Sequence, residues 1–123
     1  ITIVAIGRMS LLAEKVAEYL YDEEELVTEL IFPLQISPLN IFPILNSVSQ
    51  THKLVVLEEG VSSFDIGSEI IADLTCRWRE EKVFIAQRVG ALGIPIPNSR
   101  PLEDEDLPSF DQVLEICLEV YNV

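Results

Sequence analysis

Apolar residues gather in four short runs that are separated by amphipathic stretches. The runs lie at residues 1–6, 27–32, 54–57 and 82–86 and are rich in Ile, Val, Leu and Phe. Such runs predict β-strands. The third run, Leu54–Leu57, is apolar at every position, which is typical of a strand that is covered on both faces in a parallel sheet.

Between and after these runs, apolar residues recur at spacings of three and four, which predicts amphipathic helices. The predicted helices cover residues 10–21, 40–49 and 66–79, and a last one follows Ser109. Asn40 is the predicted N-cap of the second helix, and Ser109 with Gln112 forms a predicted capping box at the last. The acidic run 22–25 is predicted to be a solvated turn, and the polar loop that carries His52 is predicted to be exposed.

The elements follow in the order strand, helix, strand, helix, strand, helix, strand, then a long segment and a final helix. This alternation predicts an α/β fold of three layers, with helices on both faces of one open, mostly parallel sheet. Residues 88–108 carry two glycines and four prolines, which predicts an irregular surface segment. Whether a fifth short strand lies at Arg88–Val89 stays open at this level.

The chain has 123 residues, a length that suits one domain. It opens inside an apolar run without an initiator methionine. We therefore expect residues 1–123 to form a single domain that belongs to a longer polypeptide. No apolar run approaches the roughly 20 residues that a bilayer-spanning helix needs.

The charge balance is strongly acidic, with 21 Asp and Glu against 8 Lys and Arg and a net charge of −13. Such a surface repels nucleic acid and anionic membranes, so neither is expected as a partner. Two explanations remain: the acidity keeps the domain soluble, or it attracts a basic protein partner. Cys76 and Cys117 fall in two separate helical patterns and are predicted to be small buried residues rather than a disulfide framework.

Motifs that carry chemistry are missing. The sequence has no Gly-x-Gly-x-x-Gly, no phosphate-binding loop and no Gly-x-Ser-x-Gly. His52 is the only imidazole, and no Cys-x-x-Cys accompanies it, so no zinc site is expected. Gly7 and Arg8, between the first strand and the first helix, are candidates for a small anion site, with a tight turn as the alternative.

Two acidic groups are better placed. Glu58, Glu59 and Gly60 are predicted to close the third strand, at the edge where ligands of open α/β sheets bind. The alternative is structural: one carboxylate accepts hydrogen bonds from loop N–H groups and the other faces water. The cluster formed by Glu103, Asp104, Glu105 and Asp106 is either a docking patch for a basic partner or a solvated segment before a helix N-terminus.

Several motifs resemble one family in the order in which they occur. They are Gly7-Arg8-Met9, Ile36-Ser37-Pro38-Leu39, Leu54-Val55-Val56-Leu57-Glu58-Glu59-Gly60, Gly67-Ser68-Glu69-Ile70, Ile94-Pro95-Ile96-Pro97-Asn98-Ser99, Pro101-Leu102-Glu103 and Leu107-Pro108-Ser109. Together they resemble the C-terminal domain of the beta subunit of thiamin-diphosphate-dependent 2-oxo acid dehydrogenases, of the pyruvate and branched-chain type, within the transketolase C-terminal domain superfamily. Asp65 departs from the pattern where a glycine is frequent, and Asn98 where an aromatic residue is frequent.

The resemblance implies a parent enzyme that oxidatively decarboxylates a 2-oxo acid and passes the acyl group to a lipoyl acyltransferase in a multienzyme complex. It implies that thiamin diphosphate and magnesium are bound by other domains and by the alpha subunit. No cofactor is then expected on this domain, which is expected to be inactive alone. The implied compartment is the cytoplasm, or the mitochondrial or plastid matrix in a eukaryote.

Two roles for this domain follow from the resemblance. One is dimer assembly, with Glu58, Glu59, Gly60 and Gly67 as candidates for a subunit interface. The other is docking of the acyltransferase, whose small binding domain is basic in this family, on residues 103–106.

Two other functions stay open. The first is that of the C-terminal domain of a transketolase or a deoxyxylulose phosphate synthase. The second is a stand-alone anion-binding regulatory module that uses Gly7, Arg8 and the end of the third strand.

Overall fold

The computed structural model describes residues 1–123 as four strands and five helices. In chain order they are β1 (Thr2–Ala5), α1 (Met9–Glu24), β2 (Glu29–Ile31), α2 (Phe42–Thr51), β3 (Lys53–Val61), α3 (Ile66–Arg77), β4 (Ile85–Ala91), α4 (Arg100–Asp106) and α5 (Phe110–Asn122).

The strands form one parallel sheet in the order β2-β1-β3-β4. Because side chains alternate along a strand, Leu54 and Val56 of β3 face one side of the sheet while Val55 and Leu57 face the other. All four are fully buried. The predicted α/β fold, with helices on both faces of a parallel sheet, is confirmed.

Two separate cores result from this arrangement. Helices α1 and α5 cover one face and share a core of 13 buried residues that includes Leu20 and Cys117. Helices α2 and α3 cover the other face, where 8 buried residues include Val48 and Leu74. Burial of each large aliphatic side chain contributes about 1.5–3 kcal/mol, so both faces of β3 contribute to stability.

Helix ends follow local side-chain chemistry only in part. The Oγ of Ser109 accepts a hydrogen bond from the Gln112 N–H at 3.3 Å, which is one half of the predicted capping box. Asn40 was predicted to be the N-cap of α2, but the N-cap is Ile41. Asn40 lies one residue before the N-cap, and its Oδ1 accepts a hydrogen bond from the Phe42 N–H at 3.3 Å. The helix begins later than predicted because Pro43 fits the first turn, where no N–H is needed.

The acidic run 22–25 was predicted to be a separate turn, but most of it belongs to helix α1. Helix α1 continues through Glu24 and ends at Glu25, whose φ of 54° is left-handed. The N–H of Glu25 bonds to the carbonyl of Leu20, which is how left-handed caps close a helix. The run has no apolar residue, yet it continues the helix because the preceding turn is buried in the core through Leu20.

The third and fourth strands are longer than their apolar runs. β3 extends to Val61, so Glu58, Glu59 and Gly60 lie inside it rather than after it. β4 covers Ile85–Ala91, so Arg88–Val89 belongs to β4 and is not a fifth strand. Arg88 and Val89 pair with Val56 and Leu57, whereas the register between the two strands is interrupted from Leu57 to Val61. Glu58, Glu59 and Gly60 therefore lie in an irregular stretch of β3, and no local pattern in the sequence reports this pairing.

The segment 88–108 is also more ordered than predicted. It contains the end of β4 and the short helix α4, which begins at Arg100 with Pro101 in its first turn. Proline is compatible with that position because it needs no N–H there. Pro101 therefore lies at the start of a helix and does not prevent that helix from forming.

Two side-chain environments differ from expectation. Cys76 is exposed, because it lies two residues after the buried Leu74 and so points away from the core on α3. Cys117 is buried as predicted. His52 is half-buried rather than exposed, since it caps α2 with a φ of 55° and packs edge-on against Trp78 at 5.8 Å.

The packing of α1 generates a paired prediction. Leu20 is fully buried and Leu11 is 61% exposed on the same helix. We expect Leu20→Ala to lower the free energy of unfolding by about 2–5 kcal/mol, since it leaves a cavity. Leu11→Ala should change it by no more than about 0.5 kcal/mol. Urea denaturation followed by circular dichroism measures both, and equal effects would contradict the assigned orientation of α1.

Candidate functional site

The carboxyl edge of the sheet holds a buried carboxylate. Glu58 is 1% exposed, and its Oε2 accepts a hydrogen bond from the Gly67 N–H at 2.8 Å. Asp65 is the N-cap of α3, and its Oδ1 accepts from the Ile66 N–H at 2.7 Å. Two carboxylates thus occupy the start of α3, where free N–H groups and the helix dipole favour negative charge.

Burial dominates the ionisation of Glu58. Desolvation raises the pKa of its carboxyl, the hydrogen bond from Gly67 lowers it, Asp65 raises it further and Arg88 lowers it. The Oε1 atom is buried and has no hydrogen-bond partner within the chain. The protonated form is therefore favoured in the folded protein relative to an exposed glutamate.

Two glycines permit this close arrangement. A Cβ on Gly67 would lie 2.6 Å from Oε1 of Glu58 and 3.3 Å from Cδ of Arg88. A Cβ on Gly60 would lie 1.3 Å from Oδ2 of Asp65. Glu58, Gly60 and Gly67, predicted as interface residues, are therefore brought together as internal packing around the start of α3.

Glu59 is half-buried beside them. Glu58 is buried and accepts one hydrogen bond, from the helix N–H of Gly67, while its neighbour Glu59 is partly open to solvent, which resembles the structural alternative. A subunit-interface role for Glu58, Glu59, Gly60 and Gly67 stays a prediction.

Arg88 links the site to β4 and was missed in the sequence. Its Nη1 donates to the Ser62 carbonyl and to Oγ of Ser68. This places a guanidinium beside the start of α3, next to the Glu58 carboxylate. Only the register of β4 against β3 brings Arg88 here, and nothing in the local sequence reports that register.

Exposed apolar side chains surround this edge and were also missed. Leu34 and Phe64 are fully exposed, and Phe64 has a φ of 69°. The loop after β4 adds three more exposed apolar side chains, Leu92, Ile94 and Ile96. Ile36 and Phe64 line a shared surface groove of about 580 Å³ with the first turns of α3. Contiguous exposed apolar surface marks interaction sites in soluble proteins.

Gly7 and Arg8 adopt the turn geometry that was the alternative to an anion site. Gly7 has a φ of 58°, which favours glycine. The first N–H groups of α1, those of Met9, Ser10 and Leu11, bond to the carbonyls of residues 6, 7 and 8. Arg8 is exposed and lines a groove of about 250 Å³ with Lys15 and Asp104.

The acidic cluster 103–106 forms α4 rather than a loop. Asp104 and Glu105 are exposed and Glu103 is half-buried. Asp106 is 3% exposed, and its Oδ1 accepts from the Leu92 N–H at 3.1 Å. The carboxylate of Asp106 thus ties the segment after β4 to the end of α4 inside the domain, which leaves Asp104 and Glu105 as the exposed members of the cluster. A docking role for residues 103–106 stays a prediction.

A sequence profile decides the family. The profile described as "Transketolase, C-terminal domain" matches residues 1–113. The chain belongs to the transketolase C-terminal domain family. The predicted resemblance to this superfamily is confirmed.

Curated relatives of this transketolase C-terminal domain narrow the resemblance. The chain is 32% identical over 94% of its length to the pyruvate dehydrogenase E1 component subunit beta, mitochondrial, of Chaetomium thermophilum, of which it covers 30%. It is 28% identical over 98% of its length to the acetoin:2,6-dichlorophenolindophenol oxidoreductase subunit beta of Bacillus subtilis, of which it covers 35%. The chain thus spans about a third of the length of these curated relatives.

A solved structure supports the fold. A chain described as "Split gene transketolase, inactive beta4 tetramer" superposes with a TM-score of 0.83 over 98% of this chain and 39% of its own length. The sequence identity is 20%, so this likeness concerns the fold alone.

Neither a metal-binding cluster nor a membrane-spanning helix is found in the domain. No group of three His, Cys, Asp or Glu side chains is close enough to hold a metal ion. None of the helices combines the length and apolar character that crossing a membrane requires.

The close approach at Gly67 generates a prediction. Alanine favours a helix over glycine by up to about 1 kcal/mol, yet its Cβ would press on Glu58 and Arg88. We expect Gly67→Ala to lower the free energy of unfolding by about 1–3 kcal/mol. Gly93→Ala is the control, because its Cβ would meet nothing within 4 Å. A stabilised Gly67→Ala protein in urea denaturation would contradict the contact.

Burial of Glu58 generates a pH-dependent prediction. A carboxyl with a raised folded pKa binds its proton more tightly in the folded state, so its contribution to stability falls as pH rises from its ordinary pKa through the raised value. Glutamine does not titrate. We therefore expect the stability of Glu58→Gln relative to the wild-type chain to increase with pH across that window.

Urea denaturation at about pH 5 and about pH 8 measures this change. Glu59→Gln is the matched control at the adjacent, half-buried position. If the difference between Glu58→Gln and the wild type does not vary with pH, the buried carboxylate does not carry the raised pKa.

Proposed function

We propose that this chain is the C-terminal domain of the beta subunit of a 2-oxo acid dehydrogenase, and that it acts in assembly and docking rather than catalysis. The parent enzyme would oxidatively decarboxylate pyruvate or a branched-chain 2-oxo acid and transfer the acyl group to lipoamide. Curated relatives named as beta subunits, matched over more than nine-tenths of this chain, support this parent.

The assembly role is supported by two features of the carboxyl edge of the sheet: its helix N–H groups are already bonded, and apolar side chains around it are exposed. The position where open α/β sheets bind ligands is filled by the chain's own Glu58 and Asp65. Around it stand exposed apolar side chains, among them Leu34 and Phe64. An edge whose helix N–H groups are bonded within the chain, and which is bordered by apolar surface, suits burial against other protein.

The proposed occupant of this apolar edge is the remainder of the parent subunit or its alpha subunit. The relatives are about three times as long as this chain, so about two-thirds of such a subunit lies outside the matched region. A homodimer contact through the same domain is part of the proposal, and Glu59 lies at its border.

The residues of this edge do not fit thiamin diphosphate with magnesium. Magnesium needs several oxygen ligands beside the phosphates, and no three acidic side chains converge here. The start of α3, which could receive a phosphate, already accommodates the carboxylates of Glu58 and Asp65. We propose that the cofactor of the parent enzyme is held by its other domains.

The proposal that a basic partner docks on this domain is supported by acidic side chains that form no salt bridge. The chain carries 21 acidic residues, yet its only salt bridge joins Arg77 and Asp73 at 2.6 Å. Asp104 and Glu105 stand exposed on α4 without a salt bridge, although Asp104 shares a groove with Arg8 and Lys15. Complementary charge steers association and adds modestly to affinity, so these two residues are the proposed contact for the acyltransferase's basic binding domain.

Charge reversal tests the docking role. We expect the double variant Asp104→Lys and Glu105→Lys to weaken binding to the peripheral binding domain of a lipoyl acyltransferase by about three- to tenfold. Calorimetry with the chain at about 50 mM and about 200 mM salt measures the affinity. Wild-type binding should weaken with salt, and the variant should lose most of that dependence.

A matched control separates local contact from net charge. The double variant Glu80→Lys and Glu81→Lys changes the net charge equally, at exposed positions before β4. These residues lie at the opposite end of β4 from α4. If both double variants weaken binding equally, α4 is not the docking site; if the wild-type chain does not bind at either salt concentration, the docking role is wrong for this domain.

A transketolase or deoxyxylulose phosphate synthase parent is the remaining alternative. Its support is the fold likeness to a split gene transketolase, while the sequence relatives quoted above are beta subunits of other enzymes. Assays of a full-length parent for lipoamide-coupled oxidation and for ketol transfer distinguish the two.

A further inference from the structure

The two edges of the sheet are protected unequally. β2, at one edge, is only 3 residues long, and β4, at the other, is 7 residues long. Short edge strands are one way in which proteins avoid pairing with other chains. β4 lacks this protection.

Backbone groups along β4 are available for pairing. The Ile85 N–H bonds to the His52 carbonyl and the Ala91 carbonyl accepts from Ser62, so these residues face β3. Successive residues of a strand direct their backbone groups to opposite sides, so Ala86, Arg88 and Gly90 direct theirs to the open side. None of these three uses its N–H or carbonyl in a hydrogen bond outside the strand pairing. A row of unpaired groups of this kind is a template for an added strand.

An apolar groove lies beside this open edge. It measures about 400 Å³ and five of its six lining residues are apolar, namely Ile71, Trp78, Val83, Phe84 and Ala86, with Thr75 as the sixth. Val83 is 75% exposed. The groove thus runs between the end of α3 and the start of β4, where a side chain of an added strand would point.

The wall of the groove is held in place by the fold. The Trp78 ring packs against Phe84 at 4.7 Å and against His52 at 5.8 Å. Its Nε1 donates to the Lys82 carbonyl at 3.0 Å. A preformed wall lowers the ordering cost of binding.

Charge around the groove differs from that of the rest of the chain. Three of the eight basic residues, Arg77, Arg79 and Lys82, lie within six positions of each other, with Glu80 and Glu81 between them. The net charge of the whole chain is −13, whereas residues 77–82 carry three positive and two negative charges, so an acidic ligand is repelled less here than by the domain as a whole. Arg79 and Lys82 are both exposed.

We propose that the open edge of β4 is a binding site for an extended peptide segment of another protein. The segment would add as a strand beside Ala86, Arg88 and Gly90, and would place a bulky apolar side chain in the Trp78 groove. Its acidic residues would lie near Arg79 and Lys82. Strand addition of this kind takes affinity from main-chain hydrogen bonds and specificity from pockets for alternate side chains.

The groove is separate from the proposed docking and assembly surfaces, although the strand edge that leads from it reaches Arg88, whose side chain contacts the start of α3. Asp104 and Glu105 lie on α4 and the apolar loops lie at the carboxyl edge of the sheet, whereas the groove lies at the amino end of β4. A second copy of the chain that pairs through its own β4 is a different occupant, and sedimentation distinguishes it from a peptide of another protein.

A capped peptide of about seven residues, acetyl-Asp-Val-Thr-Phe-Thr-Val-Asp-amide, is the probe. Trp78, the only tryptophan, reports binding by fluorescence, and amide shifts in nuclear magnetic resonance locate it. We expect saturable changes at Ala86, Arg88 and Gly90. The same peptide with N-methyl groups on the amides that would pair should bind about tenfold more weakly or worse, since those hydrogen bonds are lost.

Two exposed valines provide a matched pair of variants. Val83→Asp places a negative charge in the groove and should weaken peptide binding about tenfold or more. Val27→Asp is the control, because Val27 is 73% exposed and lies before β2. Circular dichroism of both variants should match that of the wild-type chain.

Several outcomes would overturn the proposal. Equal binding of the N-methylated peptide would show recognition without strand pairing. Amide changes confined to β2 or to the carboxyl-edge loops would place the site elsewhere. A dimer in sedimentation that dissociates in Val83→Asp would make a second copy of this chain the occupant of the edge.

Discussion

The structure depends on a central strand that is buried on both faces. Val55 and Leu57 of β3 face one core while Leu54 and Val56 face the other, and none of the four has measurable exposure. A strand in this position needs a neighbour on each side for its backbone and helices above and below for its side chains. Both layers of helices, and the parallel order of the strands, follow from meeting that requirement.

The same strand explains the unusual burial of Glu58. The regular ladder with β4 is interrupted between Leu57 and Val61, so Glu58 begins an irregular stretch of β3, where it is 1% exposed although it is acidic. A buried carboxylate is tolerated only with hydrogen bonds and a favourable field. The start of α3 supplies both through the Gly67 N–H, and Gly67 lacks the Cβ that would push the two elements apart. The position of Glu58 in β3 thus buries a carboxylate, and the start of α3 stabilises that carboxylate by a hydrogen bond.

Local periodicity predicted those features that are determined by local burial. The four apolar runs, the amphipathic helices and the fold class were predicted correctly because each rests on alternation within a few residues. The extent of β4, the burial of Asp106 and the position of Arg88 were not, since they depend on pairing between distant segments. The exposure of Phe64 and Leu34 also has no local signal, because an apolar residue in a loop can lie inside or outside. The sequence therefore singled out Glu58 and Gly67 of the candidate site and missed Asp65, Arg88 and the apolar residues around them.

In this domain the position where open α/β sheets bind ligands is occupied by the chain's own side chains. In open α/β sheets the carboxyl edge collects helix N-termini that attract anions. Here Glu58 and Asp65 satisfy the start of α3, and the first turns of α1 satisfy their own N–H groups. The backbone N–H groups of these first turns are therefore already bonded within the chain. What the fold still offers to other molecules is its surface: apolar loops, unpaired acidic charge and an open strand edge. A domain of this construction is suited to act through contacts with proteins, because its remaining free groups are of the kinds that protein partners use.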